Sequence, residues 1–259
     1  MMGNIVQSVY NRLANRINTR WLGSLQAASV VRSIRLQLAI KPFLDAAASL
    51  HVMDAGCGEN AALVSILAGR YARHSFTGVD LFLASSTKAK QANLKLHLKL
   101  LEEFTAVEPF DVVYSLDVLE HVPDPQIVLK RIADSLKPGG VLILHVPAMP
   151  QKIFFKSSEE SSHPTFRQER PGDSHLREGF TIDELTSLLV KVGIEIKRWQ
   201  RTFGSILSFF KEIYTIGERH SVKGIGLMLL SFIVSLSLCE ILLEPRRGNG
   251  LLVIAVKKS

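Results

Sequence analysis

Two hydrophobic rhythms alternate along most of this chain, and their order predicts a layered α/β architecture. His51 to Ala55 is a short apolar run that reads as a buried strand, ending in the turn Gly56-Cys57-Gly58. A helix through Ala61 to Ala72 follows, then a second strand, Ser75 to Val79, ending at Asp80. Thr87 to Asn93 carries a helical pattern, and Leu94 to Leu100 and Phe110 to Ser115 read as the third and fourth strands. Pro125 to Leu136 is a helix that Lys137-Pro138-Gly139-Gly140 must stop, and Val141 to Val146 is the fifth strand. Thr181 to Val192 is a helix with Thr181 at its N-cap and Glu184 three residues on, the spacing of a capping box. Gly193 to Trp199 alternates as a sixth strand, and Gly250 to Val256 is the seventh. Strands separated by helices imply right-handed crossovers in a largely parallel sheet.

Three stretches depart from that rhythm. Val6, Tyr10, Leu13, Ile17 and Trp21 recur at helical spacing, with Arg12, Arg16 and Arg20 one position off the stripe. This predicts a helix packed on the domain, or one lying in a membrane interface with its arginines on lipid phosphates. The polar region Pro147 to Gly179 follows the C-terminal edge of the fifth strand, so it should overhang a ligand crevice. Ile225 to Leu243 is apolar with Glu240 as its one charge. It reaches the ~19-residue window that flags a membrane span. Spanning would place the last strand across the bilayer from its own sheet, so a buried or interfacial helix is expected. The chain therefore divides into an N-terminal helical cap (1–44), a core (45–200), an apolar helical insertion (201–249) and a last core strand (250–259).

Composition narrows the classes. Hydrophobic residues at 47% and charged residues at 21% suit a packed core and exclude disorder. Cys57 and Cys239 form neither a CxxC nor a zinc spacing, which points to a reducing compartment. Net charge is +7, and no Asp or Glu precedes Asp45, whereas Arg12, Arg16, Arg20, Arg32, Arg35 and Lys41 do. That front end suits a membrane surface or an acidic partner as well as nucleic acid. Aromatic residues are only 7%, with no stacking platform, which disfavours nucleic acid. Met1 to Ile5 leads into the Arg-rich stretch instead of an apolar run, so a secretory leader is not expected. The stretch shares its acid-poor character with mitochondrial transit peptides.

The chemistry gathers at strand ends. Asp54-Ala55-Gly56-Cys57-Gly58 follows a strand and opens a helix, so its glycines let a ligand approach the backbone and the helix start offers free N–H groups. Gly56-x-Gly58-x-x-Ala61 also satisfies the dinucleotide fingerprint, with Asp80 where a ribose-binding acid belongs. Asp54 separates the two readings. Its carboxylate would repel a pyrophosphate in the turn and attract the ammonium and sulfonium of S-adenosylmethionine (SAM), so SAM is favoured over NAD.

These residues resemble a known family, the class I SAM-dependent methyltransferases of the small-molecule, type 11-like branch. Val52 to Gly58 is similar to the family's first motif and Gly78-Val79-Asp80 to its second. Phe110 to Val113 with Asp117-Val118-Leu119-Glu120-His121-Val122 resembles the fourth-strand segment, and Leu136 to Gly140 the turn before the fifth strand. The resemblance runs from about Arg35 to Trp199, with the seventh strand added. It implies a seven-stranded Rossmann-like sheet with helices on both faces, and SAM as the cofactor. Gly56, Cys57 and Gly58 would lie against the methionine and ribose parts, with Asp54 near the amino group. Asp80 would take the ribose hydroxyls, Leu81 would flank the adenine and Leu116 would line the adenosine pocket. Many relatives carry an acid after the third strand that bonds the adenine amine; here that neighbourhood reads Leu100-Leu101-Glu102-Glu103, so either the glutamates substitute or backbone groups suffice.

Methyl transfer to a hydroxyl needs alignment and a base. His121 at the crevice edge and His175 in the overhanging loop are the candidates, against a purely structural role for each. Asp117, Glu120 and His121 would share one face of a helical turn, resembling the Glu-x-x-Glu-His metal site of quinone-type O-methyltransferases with Asp in place of Glu. The pattern also occurs in metal-free relatives, and no metal is expected. His51 and His145 fall in predicted buried strands and read as core residues. The expected function is O-methylation of a small or lipid-linked acceptor, in the cytoplasm, with membrane contact through 1–22 or 225–243. The competing reading is a non-catalytic SAM-binding module that docks a partner or membrane.

Overall fold

The computed structural model describes residues 24–152, 154, 176–219, 235, 239 and 247–259. Its helices are α1 (Ser24–Ala46), α2 (Ala62–Arg70), α3 (Pro125–Ser135), α4 (Ile182–Lys191) and α5 (Ser205–Arg219). The strands are β1 (His51–Ala55), β2 (Ser75–Asp80), β3 (Leu94–Leu98), β4 (Phe110–Leu116), β5 (Leu136–Pro147), β6 (Ile194–Gly204) and β7 (Gly248–Lys257). They form one 7-stranded sheet in the order β3-β2-β1-β4-β5-β7-β6. Strands β1 to β5 pair parallel, and β7 runs antiparallel between β5 and β6.

Alternation along each strand divides the core between two layers. Met53, Val113, Leu142, Leu144 and Val253 face Leu129 and Ile132 of α3 and Leu185 and Leu189 of α4. Their sequence neighbours Val52, Tyr114, Ile143 and Leu252 face the other way, against Leu36, Ile40 and Leu44 of α1 and Val64 and Leu67 of α2. Adjacent residues point to opposite faces of a strand, so a one-residue slip would empty both layers at once.

Several boundaries differ from the sequence expectation, each for a local reason. Ala61 adopts a left-handed conformation (φ 46°), so α2 starts one residue later. The helix expected over Thr87 to Asn93 is absent. There Thr87 Oγ1 donates to the Glu59 carbonyl, the Gln91 amide to that of Ser65, and the Asn93 amide to those of Ala68 and His74. Such side-chain bonds to distant backbone compete with helix formation. β5 begins at Leu136 and takes in the Pro-Gly-Gly turn, with the register against β4 shifting between Phe110 and Val112. His51 is half-buried, and its Nδ1 lies 3.4 Å from Glu108.

At α4, Thr181 Oγ1 accepts the Glu184 N–H at 3.1 Å, which is half of the expected capping box. The Glu184 carboxylate turns instead to Arg177, at 3.4 Å. Thr181→Ala should cost about 1 kcal/mol of stability. For a chain of this size that lowers Tm by about 2–4 °C in thermal unfolding. The arginine-flanked stripe of Val6 to Trp21 and most of Ile225 to Leu243 lie outside the described residues. Among the described residues, no helix is long and apolar enough to cross a membrane.

Candidate active site

The C-terminal ends of the adjacent strands β2, β1 and β4 bring together Asp54, Gly56, Cys57, Gly58, Asp80, Leu81 and Leu116. Asp54 stands opposite Gly78 of β2 and Tyr114 of β4. The glycine turn then folds over the end of β2, where the Gly56 and Cys57 N–H groups donate to the Val79 carbonyl at 2.9 and 3.2 Å. Gly56 and Gly58 both have positive φ, 90° and 74°. The Ser115 hydroxyl donates to the Ala55 carbonyl at 2.7 Å, tying β4 to the turn from the other side.

Asp80 already has a structural task. Its two oxygens accept the Gly58 and Phe82 N–H groups, each at 2.7 Å, which fixes the carboxylate plane at the crevice edge. A carboxylate has about four acceptor sites, so capacity remains for two further donors. Leu81 is 47% exposed and Leu116 is half-buried, leaving apolar surface on either side.

Asp54 is only 3% exposed. Burial pushes its carboxyl up to about 8, and the Asp80 charge adds to the rise, while the neighbouring Tyr114 hydroxyl opposes it. Among the described residues no cationic side chain contributes to its surroundings. A buried acid beside a second acid, with no counter-charge among the described residues, is a cradle for a positively charged group. Cys57 in the same turn is held as a thiol, with burial and the two acids raising its pKa. It is therefore a wall of the site and not a nucleophile.

The turn after β4 differs from expectation. Asp117 has φ 49°, so Asp117, Glu120 and His121 do not share a helical face. The Asp117 carboxylate points to α1 and β5 instead. It meets Arg32 Nε at 2.5 Å and His145 Nδ1 at 2.6 Å. His145 is buried, and its Nε2 lies 2.9 Å from the Thr202 hydroxyl of β6. Glu120 is fully buried, and neither of its carboxyl oxygens has a hydrogen-bond partner in another described residue. Burial, then the Asp117 charge, raises its pKa well above the carboxylate range. Among the described residues no three His, Cys, Asp or Glu side chains converge as metal ligands.

His121 sits half-buried in this turn, its N–H bonded to the Val118 carbonyl at 3.0 Å. His175 lies outside the described residues. Leu176, the next residue, donates its N–H to the Glu120 carbonyl at 2.9 Å, so the chain returns beside the turn that carries His121. Sequence reasoning missed the Arg32–Asp117–His145–Thr202 chain. Its one legible trace is the position of His145 opposite Leu116, at the strand ends.

Parallel strands with a glycine turn after the first, an acid closing the second and an antiparallel seventh strand define a Rossmann-like methyltransferase fold. The methyltransferase-domain family matches residues 26–198. The chain thus belongs to the class I SAM-dependent methyltransferases. It is 36% identical over 101 residues to the ubiquinone biosynthesis O-methyltransferase of Coxiella burnetii, covering 36% of this chain and 41% of that protein. It is 34% identical over 150 residues to the protein of the same name from Idiomarina loihiensis, covering 54% and 56%. The chain thus spans about half the length of the curated relatives it matches. Phosphoethanolamine N-methyltransferase 2 of Haemonchus contortus, solved with phosphomonomethylethanolamine and S-adenosylhomocysteine, shares the fold. Its TM-score is 0.57 and its identity 18%, over 87% of this chain and 53% of that one.

Proposed function

We propose that the crevice at the ends of β1, β2 and β4 holds SAM, and that the chain methylates an oxygen on a small or lipid-linked acceptor. The observation that carries this reading is Asp54, a buried acid whose natural partner is a cation. Bound SAM would supply an electrophilic methyl group. Asp54 would neutralise the ammonium, and the Gly56-Cys57-Gly58 backbone would border the methionine and ribose parts. Asp80 would use its two remaining acceptor sites on the ribose hydroxyls. Leu81 and Leu116 would enclose the adenosine and exclude water from it. His121 would remove the acceptor proton, with His175 as the other base to test. The name shared by the two curated relatives supports oxygen as the atom methylated and a ubiquinone-type, lipid-linked acceptor. Such an acceptor favours a cytoplasmic protein that reaches a membrane surface through 1–22 or 225–243. A chain that never sediments with lipid vesicles would remove that last element.

Asp80→Ala should weaken SAM binding by about 1.5–3 kcal/mol, the range for lost hydrogen bonds to a charged group. Isothermal titration checks it, and unchanged affinity would remove the ribose assignment. The decisive test of function is to incubate the protein with methyl-labelled SAM and separate lipid and polar-metabolite extracts. Label entering a lipid, with a mass gain of one methylene, is the expected outcome. Tight SAM binding without transfer to any fraction would leave a binding module and end the enzymatic reading.

A further inference from the structure

Among the described residues Ala61, Asp117 and Phe203 are the non-glycine residues with positive φ, and the last two meet at one side chain. Arg32 of α1 reaches Oδ2 of Asp117 through its Nε at 2.5 Å, and its guanidinium carbon stands 5.6 Å from the centre of the Phe203 ring. Asp117 opens the turn after β4, and Phe203 lies at the end of β6, just before α5. Backbone in a sparsely populated conformation persists only where its surroundings over-determine it, and such residues gather at functional sites. The helix that grips both supplies none of the crevice residues named above.

The grip is firmly seated. The second oxygen of Asp117 meets Nδ1 of His145 at 2.6 Å, and Nε2 of His145 meets the Thr202 hydroxyl at 2.9 Å. Backbone closes the far end of this chain: a Cβ on Gly250 would lie 2.2 Å from the Thr202 hydroxyl and 2.8 Å from His145 Nε2. The Phe203 ring meets His145 edge-on at 6.1 Å. The Arg32 and Asp117 side chains are 20% and 12% exposed, so solvent and salt screen their attraction less than that of a surface pair. Asp117 repels the buried Glu120 of the same turn, and the Arg32 charge offsets that repulsion.

What this turn carries makes its position matter. Val118 follows Asp117 directly and lies over the glycine turn, so close that a Cβ on Gly56 would be 2.2 Å from its Cγ2. A shift of Asp117 is therefore a shift of the wall that faces Gly56.

We infer that Arg32 is a positioning residue for SAM binding: acting through Asp117, it sets the turn that presses Val118 onto Gly56. This rests on the placement of SAM in the glycine-turn crevice.

SAM would be titrated by calorimetry into the full chain carrying Arg32→Met, Asp117→Asn, both together, or Arg32→Lys, below the unfolding temperature of each. Arg32→Met and Asp117→Asn are each expected to weaken SAM roughly tenfold, the scale for a residue acting at one remove. The double variant should weaken it no further, because both changes break the same contact. Arg32→Lys should recover most of the affinity, since its ammonium lies one bond beyond the position of Nε. In the SAM-free protein, the isotope-labelled Val118 methyl resonances, identified by their loss in Val118→Ala, should move in Arg32→Met and Asp117→Asn alike. Unchanged affinity in the single variants overturns the inference, as do losses that multiply in the double variant, a lysine no better than methionine, or Val118 methyls that do not move. A role in stability alone would lower Tm and leave the affinity of the folded protein intact, which is the first of those outcomes. Should Arg32→Met not fold, Asp117→Asn keeps the shape of its side chain and decides by the same two readings. A wild type without SAM affinity would end the crevice assignment, and the Val118 methyls would still show whether Arg32 sets the turn.

Discussion

SAM affinity is expected to rise about tenfold per pH unit between pH 6 and 7.5, level off near 8, and lose this dependence in Asp54→Asn. Asp54 is buried with its acid near 8, so at pH 7 the free crevice holds mostly the neutral form. A cationic ligand needs the carboxylate, and binding must therefore release a proton. Titration calorimetry in buffers of different ionisation enthalpy reads that proton directly. If the measured heat does not depend on buffer at pH 7, Asp54 is not the counter-charge.

The same residue has an opposite effect on the free protein. Its acid is near 8 when folded and near 3.8 when unfolded. The folded state therefore binds the extra proton, and its stability falls as pH rises from about 4 to 8. Asp54→Asn removes that decline. The variant should be more stable than wild type at pH 7.5 by an amount of order 3 kcal/mol, while binding SAM at least a hundredfold more weakly. Thermal unfolding at pH 5 and 7.5 checks the first half, because the gain should shrink at the lower pH. A buried acid that weakens the empty fold and strengthens the filled one is a cost accepted for binding.

Gly56→Ala should abolish SAM binding without unfolding the outer half of the sheet. Two effects combine at this position. The backbone has φ +90°, where an L side chain is strained. An added Cβ would also lie 2.2 Å from Cγ2 of Val118, in the turn after β4. Either the glycine turn lifts from β2 or Val118 is driven away, and both displace walls of the crevice. The pair Gly56→Ala with Val118→Ala should recover part of the affinity, because it relieves the clash and leaves the backbone strain. Full recovery would mean that the strain at Gly56 is unimportant, and no recovery that the clash is. Binding titrations on the single and double variants separate the two.

The strands and the order of their motifs were legible because they depend on local signals: a buried apolar run, a Pro-Gly-Gly stop, a Thr181 cap. The glycine turn and Asp80 were legible for the same reason, being close in sequence and at strand ends. What escaped depends on distant partners. Thr87 to Asn93 has a helical pattern, yet its side chains bond to the carbonyls of Glu59, Ser65, Ala68 and His74, which no window of sequence contains. Asp117, read as one face of a helical turn, is turned by its positive φ toward Arg32 on α1 and His145 on β5. His145 was read as a core residue, and it is buried, but its ring is held by polar groups at both nitrogens. Periodicity reports which face a residue takes and says nothing about who waits there.

The antiparallel strand between β5 and β6 has a consequence for synthesis of the protein. Because β7 follows β6 in chain order and yet sits between it and β5, β6 has no neighbour in the described sheet to dock on until the ribosome has made residues beyond 248. At about 5–20 residues per second, an unpaired, largely apolar β5 edge is on show for several seconds in every nascent chain. The time that edge stays open should therefore follow translation speed across residues 148–257, and chaperone dependence should track it.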